Sequence, residues 1–308
     1  MMNIQQFMQS AIQSTEQVLH DKYNIDIQLV QNTVTKINDQ KLYGLRVVAD
    51  AGVPTPAIHL NNSFELYKKG FPFDRLVQQI SMMLLQAMQQ MPPAGEALPY
   101  CESMDKRALS IRVLETARNQ EYLKEHPYME LGNGFSAICD RMKSDGVGGF
   151  WRSAVTHEMV QADHLDAADL LSCALHNAAR IDPPVMMSME KVIALAKAGI
   201  HSSTVGIHAV PGAQSYILTN KSQGYGASAL FYPGTAKTIA DKLCESYYAL
   251  PSSLHEFIII PRSKLKADVA HLKQTVLSGN RDTVTAEEIL SDSVLYFDKD
   301  TAALQTVA

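Results

Sequence analysis

The chain has 308 residues, 46% hydrophobic and 19% charged, enough to bury a full core as one large domain or two modest ones. Its formal charge of -5 comes from interspersed acids and bases, so no long basic face is available to hold a phosphate backbone, and nucleic-acid binding is disfavoured. No segment reaches the roughly 20 apolar residues that span a bilayer, and the glutamine-rich start from Met1 to His20 lacks the basic residues and apolar run of a secretion signal. The expectation is a soluble cytoplasmic protein without a membrane partner. The four cysteines, Cys101, Cys139, Cys173 and Cys244, form no C-x-x-C pair and fit buried thiols of a reducing compartment rather than a zinc ribbon.

Apolar residues recur at helical spacing from Ile4 to Leu19, with Gln5, Gln9, Gln13 and Glu16 opposite, which predicts an amphipathic first helix. Alternation at Ile25, Ile27 and Leu29, then Val34 to Ile37, Asn38-Asp39 and Leu42 to Val48, predicts a hairpin or meander, followed by a short strand at Ala57 to Leu60. A short helix from Ser63 to Gly70 and a longer one starting at Pro72 or Asp74 precede Met91-Pro92-Pro93-Ala94-Gly95. That connector is the predicted boundary between an N-terminal subdomain, 1–91, and a C-terminal one, 100–308.

Strands are expected at Phe135 to Met142 and Phe150 to Val155, joined by Asp145-Gly146-Val147-Gly148-Gly149, and at Arg107 to Glu115, whose alternation favours strand although its propensity fits a helix nearly as well. Thr156 and Asp166 are expected to cap helices, and Gly199 to close one running from Met189 to Ala198. Further strands follow at Ser215 to Thr219, Ala227 to Phe231, Ser246 to Leu250, Glu256 to Ile260 and Val294 to Phe297, with helices at Thr235 to Cys244 and Lys264 to Leu277. Because strands and helices mix irregularly, the predicted class is α+β, with mixed, largely antiparallel sheets and packed helices.

Three stretches carry a family resemblance: Tyr216-Ile217-Leu218-Thr219-Asn220-Lys221 with Gly226-Ala227, Leu250-Pro251-Ser252-Ser253-Leu254-His255-Glu256, and Leu290-Ser291-Asp292-Ser293-Val294-Leu295-Tyr296. With Asn177, Pro183-Pro184, Leu42-Tyr43-Gly44-Leu45 and Pro56 to Asn61, they make the chain similar to a bacterial family known as domain of unknown function 5688, over about Val34 to Asp298. The resemblance implies an intracellular bacterial protein of mixed α/β fold and carries over no catalytic residue.

Ser253, His255 and Glu256 supply the residue types of a nucleophile, a base and an orienting acid. Adjacent residues of an extended chain point to opposite faces, however, and Ser253-Leu254-His255-Glu256 also fits a capping box or a structural turn. His157-Glu158-Met159-Val160-Gln161 lacks the second histidine of a zinc helix, so neither a metal nor a cofactor is expected there. Gly132 and Gly134, like Gly146, Gly148 and Gly149, are read as hairpin turns.

The polar loop from Asn220 to Gly226 could present Lys221 and Tyr225 at a binding edge. Asn220, Lys221, Tyr225 and His255 are the candidate ligand-binding residues. Methionines cluster at Met82, Met83, Met88 and Met91, and at Met186, Met187 and Met189, expected as core filling and alternatively as an adaptable docking surface. Three functions follow: a non-catalytic binding or regulatory protein for a small molecule or peptide, a hydrolase using Ser253 or Ser252 with His255, or an interaction module that meets a second copy or another protein.

Overall fold

The computed structural model describes residues 1–48, 55–89, 104–144, 150–200, 205–266 and 268–308. The Met91–Gly95 connector and the Asp145–Gly149 turn lie outside the described residues. The chain divides into two units, Met1–Lys36 with Gln40–Glu102, and Ser103–Ala308 with Ile37–Asp39.

In the first unit, α1 (Ile4–Tyr23) opens on a capping box in which the Asn3 side chain accepts from Gln6 N–H and the Gln6 side chain bonds back to Asn3 N–H. Its apolar stripe buries Phe7, Met8, Ala11, Ile12 and Leu19. The strands β1 (Leu29–Thr35), β2 (Lys41–Val47) and β3 (Ala57–His59) form an antiparallel sheet in that order. Residues 24–28 are not strand: Asn24 turns the chain into the left-handed conformation, and pairing begins only at Leu29. Helices α2 (Asn61–Lys68) and α3 (Phe73–Gln89) complete the unit, and Phe7 meets the rings of Phe64, Tyr67 and Phe73 at centroid distances of 5.4 to 5.7 Å.

The second unit begins with a four-stranded antiparallel sheet. Its central strand, β6 (Phe135–Ser144), has β4 (Leu109–Glu115) along one edge and β5 (Tyr128–Gly132), then β7 (Phe150–Ala154), along the other. The one-turn helix α4 (Tyr122–Glu125) links β4 to β5. Gly132, Asn133 and Gly134, all at positive φ, close the β5–β6 hairpin.

Thr156 caps α5 (His157–Ala162), and Asp166 caps α6 (Ala167–Ile181), which packs on β4 and β6. A seven-stranded sheet follows, in the order β14 (Ala303–Thr306), β13 (Leu295–Asp298), β11 (Tyr247–Ser253), β12 (Glu256–Pro261), β10 (Tyr216–Asn220), β8 (Pro184–Ser188) and β9 (Gly206–Ile207). Only the β8–β9 pair is parallel among the described strands. Helix α7 (Met189–Ala198) follows β8, α8 (Thr235–Leu243) precedes β11, and α9 (Val269–Asp282) precedes β13.

Two further expected elements are corrected. Residues 226–231 alternate like a strand but form a 3-10 turn, because Tyr225 reverses the chain at φ 52° and local bonds take over, among them Ser228 N–H to Tyr225 O at 3.1 Å. Helix α9 starts five residues later than expected, where the Asp268 side chain caps it by accepting from His271 N–H at 2.8 Å. It also runs past Leu277, because Asn280 is buried and donates to Ser291 O at 3.0 Å.

Met186 and Met187 are buried on β8, whereas Met82 and Met83 are 63% and 47% exposed on α3. Met186 and Met187 therefore fill core, whereas Met82 and Met83 lie on a surface, Met88 packs against the core of the first unit, and Met91 lies outside the described residues. Among the described residues, no helix is long and apolar enough to cross a membrane.

A candidate binding platform at the Asn220–Gly226 loop

Two strands that read as core carry charge at their centres. On β4, Arg112 lies among Leu109, Ile111, Val113 and Leu114, and on β6, Asp140 follows Ala137, Ile138 and Cys139. Arg112 Nε donates to Asp140 Oδ2 at 3.0 Å and Nη2 pairs with Oδ1 at 2.9 Å, with the two side chains 7% and 0% exposed. Burial opposes the guanidinium charge, but Asp140, helped by Tyr225 and Tyr122, outweighs it and holds Arg112 above its ordinary value. The guanidinium therefore stays charged inside the fold.

Around it, burial pushes the Tyr122 hydroxyl up to about 12 and holds His126 below the ordinary histidine value. The His126 ring lies 4.3 Å from that of Tyr122 and bonds through Nδ1 to Val155 O at 2.9 Å. The carbonyl oxygen can only accept, so Nδ1 carries a proton.

A second buried pair, Arg152 on β7 with Asp182 after α6, anchors the polar loop. Ser222 N–H donates to Asp182 Oδ1 at 2.9 Å and its hydroxyl donates to Oδ2 at 2.6 Å, while Arg152 Nη2 donates to the Ser222 oxygen at 2.8 Å. Asn220, 1% exposed, donates from Nδ2 to Gly224 O at 2.9 Å. Its side chain points inward and braces the loop.

The loop then turns through two left-handed residues, Gln223 and Tyr225. Left-handed backbone costs a non-glycine residue about 1–2 kcal/mol, so something must hold it. For Tyr225 the hold is double: its N–H donates to His255 Nδ1 at 3.1 Å, and its ring lies 3.8 Å from the Arg112 guanidinium carbon and 5.6 Å from the His255 ring. With Nδ1 accepting, the His255 ring carries its proton on Nε2, which faces Glu288 Oε1 at 3.7 Å.

His255 lies on the two-residue turn Leu254–His255 that joins β11 to β12, and Ser253 and Glu256, which pair with each other, are the strand ends that flank it. The turn is a hairpin and not a helix cap: Ser253 Oγ accepts from His255 N–H at 3.0 Å, and Glu256 accepts from Ser252 Oγ at 3.1 Å. The described hydrogen bonds include none between a Ser252 or Ser253 hydroxyl and the His255 ring, whose Nδ1 is engaged by Tyr225. The structure thus brings Tyr225 and His255 into contact, leaves the Lys221 side chain in solvent at the loop's outer edge, and assembles no relay on the turn.

Arg112, Asp140, Arg152, Asp182 and Ser222 escape a reading by local motif because their partners are 28 to 40 residues away or more. The legible signal was a charge set midway along an apolar strand. Elsewhere, a 370 Å³ depression on α6 is lined by Lys106, Arg107, Ser172, Cys173, His176 and Asn177. Its cations are already paired, Lys106 with Asp169 and Arg107 with Asp105. Among the described residues no three histidines, cysteines or acids gather as a metal cage.

The antiparallel sheets with helices packed on them define an α+β protein. The chain belongs to the family of unknown function DUF5688, whose model matches residues 4–299 and so includes α1 as well as the motifs of the second unit. No curated protein and no solved structure matches it.

Proposed function

We propose that the chain is a bacterial, cytoplasmic, non-catalytic binding or regulatory protein, which recognises a small molecule or short peptide at the platform formed by the Asn220–Gly226 loop and the Leu254–His255 turn. The observation that carries the proposal is Tyr225, a bulky residue held left-handed by the His255 ring and stacked on a buried arginine. Backbone strain of this kind persists only where the surroundings over-determine it, and it concentrates at ligand-binding positions.

The platform offers a cation at Lys221, an amide at Gln223, an aromatic face at Tyr225, the Nε2 proton of His255 and the carboxylate of Glu288. That set suits a polar ligand bearing an anionic group and a planar or apolar part, as amino-acid derivatives and short peptides do. The engagement of both serine hydroxyls and of His255 Nδ1 in local bonds favours binding over hydrolysis.

A thermal-shift screen of amino acids, dipeptides and their N-acyl derivatives tests the reading. A ligand at 100 times its Kd should stabilise the fold by about 2.7 kcal/mol, and Lys221→Ala or Tyr225→Ala should abolish the shift. A hit that shifts these variants equally contradicts the proposal.

A further inference from the structure

Helix α7 contradicts its own sequence. Ser188 caps its start by accepting from Lys191 N–H at 3.3 Å. Its end closes in a Schellman motif, with Gly199 N–H to Ala196 O at 3.1 Å and Ile200 N–H to Leu195 O at 3.0 Å. Yet no residue of this apolar ten-residue helix is buried. Ile193 is 47% exposed and Ile200 57%, and Val205 and Val210, on either side of the edge strand β9, are 41% and 48% exposed. A helix this short gains little stability without packing an apolar face.

The outward face of α7 is self-complementary. Glu190, Ile193, Ala194 and Lys197, at i, i+3, i+4 and i+7, are all exposed and share one side of the helix. A second α7 laid antiparallel, with a two-fold axis between Ile193 and Ala194, brings each Glu190 against the other copy's Lys197, and each Ile193 against the other's Ala194. Acid at the first turn, base at the last, and a large residue beside a small one fulfil the requirement of an isologous interface, in which one patch meets itself. A parallel arrangement sets like charges side by side instead. The Glu190 carboxyl is held below its ordinary value by its own backbone N–H, with help from Ser188 and Gln214, so it presents a negative charge.

We infer that α7 is a homodimerisation helix, and that the partner covering it is the α7 of a second copy of this chain. The inference is independent of the platform at Tyr225.

Size-exclusion chromatography with light scattering, applied to the full chain across micromolar concentrations, tests it. The unaltered chain should run as a dimer. Ile193→Glu should raise the dissociation constant by roughly 30-fold or more, as loss of a central interface side chain does, while circular dichroism stays unchanged because Ile193 is exposed within the monomer and melting loses its dependence on protein concentration. Glu190→Lys and Lys197→Glu should each weaken the dimer, and the two together should restore it. A dimer indifferent to Ile193→Glu, or a double variant no tighter than the single ones, overturns the inference. So does a chain that stays monomeric, including one that instead binds phosphatidylglycerol vesicles through Ile193.

Discussion

Tyr225 N–H donates to His255 Nδ1 at 3.1 Å, so the turn of the β11–β12 hairpin holds a loop thirty residues earlier in left-handed backbone. Glycine tolerates that conformation without penalty. Tyr225→Gly should therefore be more stable than Tyr225→Ala by about 1 kcal/mol, although both lose the ring from Arg112. Urea denaturation of the two variants measures the difference. Equal stabilities would mean that the loop relaxes once the ring is gone.

Gly226 leaves no room for a side chain. A Cβ there would lie 2.5 Å from His255 O and 2.8 Å from Asn220 N, and would collide with Thr219 Oγ1. Two of these neighbours are backbone, so Gly226→Ala should destabilise the second unit by about 3 kcal/mol. Gly279, in α9, meets nothing within 4 Å. Gly279→Ala should stabilise by about 0.5–1 kcal/mol, which makes it the control in the same melting experiment.

The Arg112–Asp140 pair should show strong coupling. Asp140→Leu strands a buried guanidinium and Arg112→Leu a buried carboxylate, each at a cost of about 3–5 kcal/mol. The double variant leaves no orphaned charge and should lose clearly less than the sum of the two. A double-mutant cycle in urea reads this directly, and additive losses would show that the pair is wetter than its 7% and 0% exposures imply.

His126 gives the fold an acid-sensitive point. Burial lowers its pKa from the ordinary 6.5, so the unfolded chain takes up this proton at higher pH than the folded one. The folded state keeps its full stability above the unfolded value of 6.5 and loses it as pH falls from there toward the folded value. His126→Asn keeps a donor for Val155 O and removes the titration. Its stability should fall less than the parent's between about pH 7 and about pH 5, and identical slopes would assign the acid loss to other groups.

Much of this architecture is written locally. The Asn3, Thr156, Asp166 and Ser188 caps and the αL closure at Gly199 are short-range devices, and the helices they bound lie where periodicity places them. Strands are less legible. β8 begins at Pro184, within a Pro-Pro pair that follows α6, and its buried Val185 and Met186 become strand only because β10 lies alongside. The 226–231 segment alternates correctly for a strand and is turned by the strain at Tyr225, which no window of sequence displays.

The site divides in the same way. Loop and turn could be singled out from their polar residues, and Tyr225 and His255 do meet. What fixes them, Arg112 on Asp140 and Arg152 on Asp182, arises from pairing between distant elements.

Native mass spectrometry of the full chain, purified from its own host without denaturation, tests the binding proposal most directly. The platform at Tyr225 and His255 predicts a retained small-molecule or peptide mass on the unaltered chain that is absent from Tyr225→Ala and His255→Ala proteins of unchanged fold. A chain that carries no added mass, or one whose added mass survives both substitutions, contradicts it.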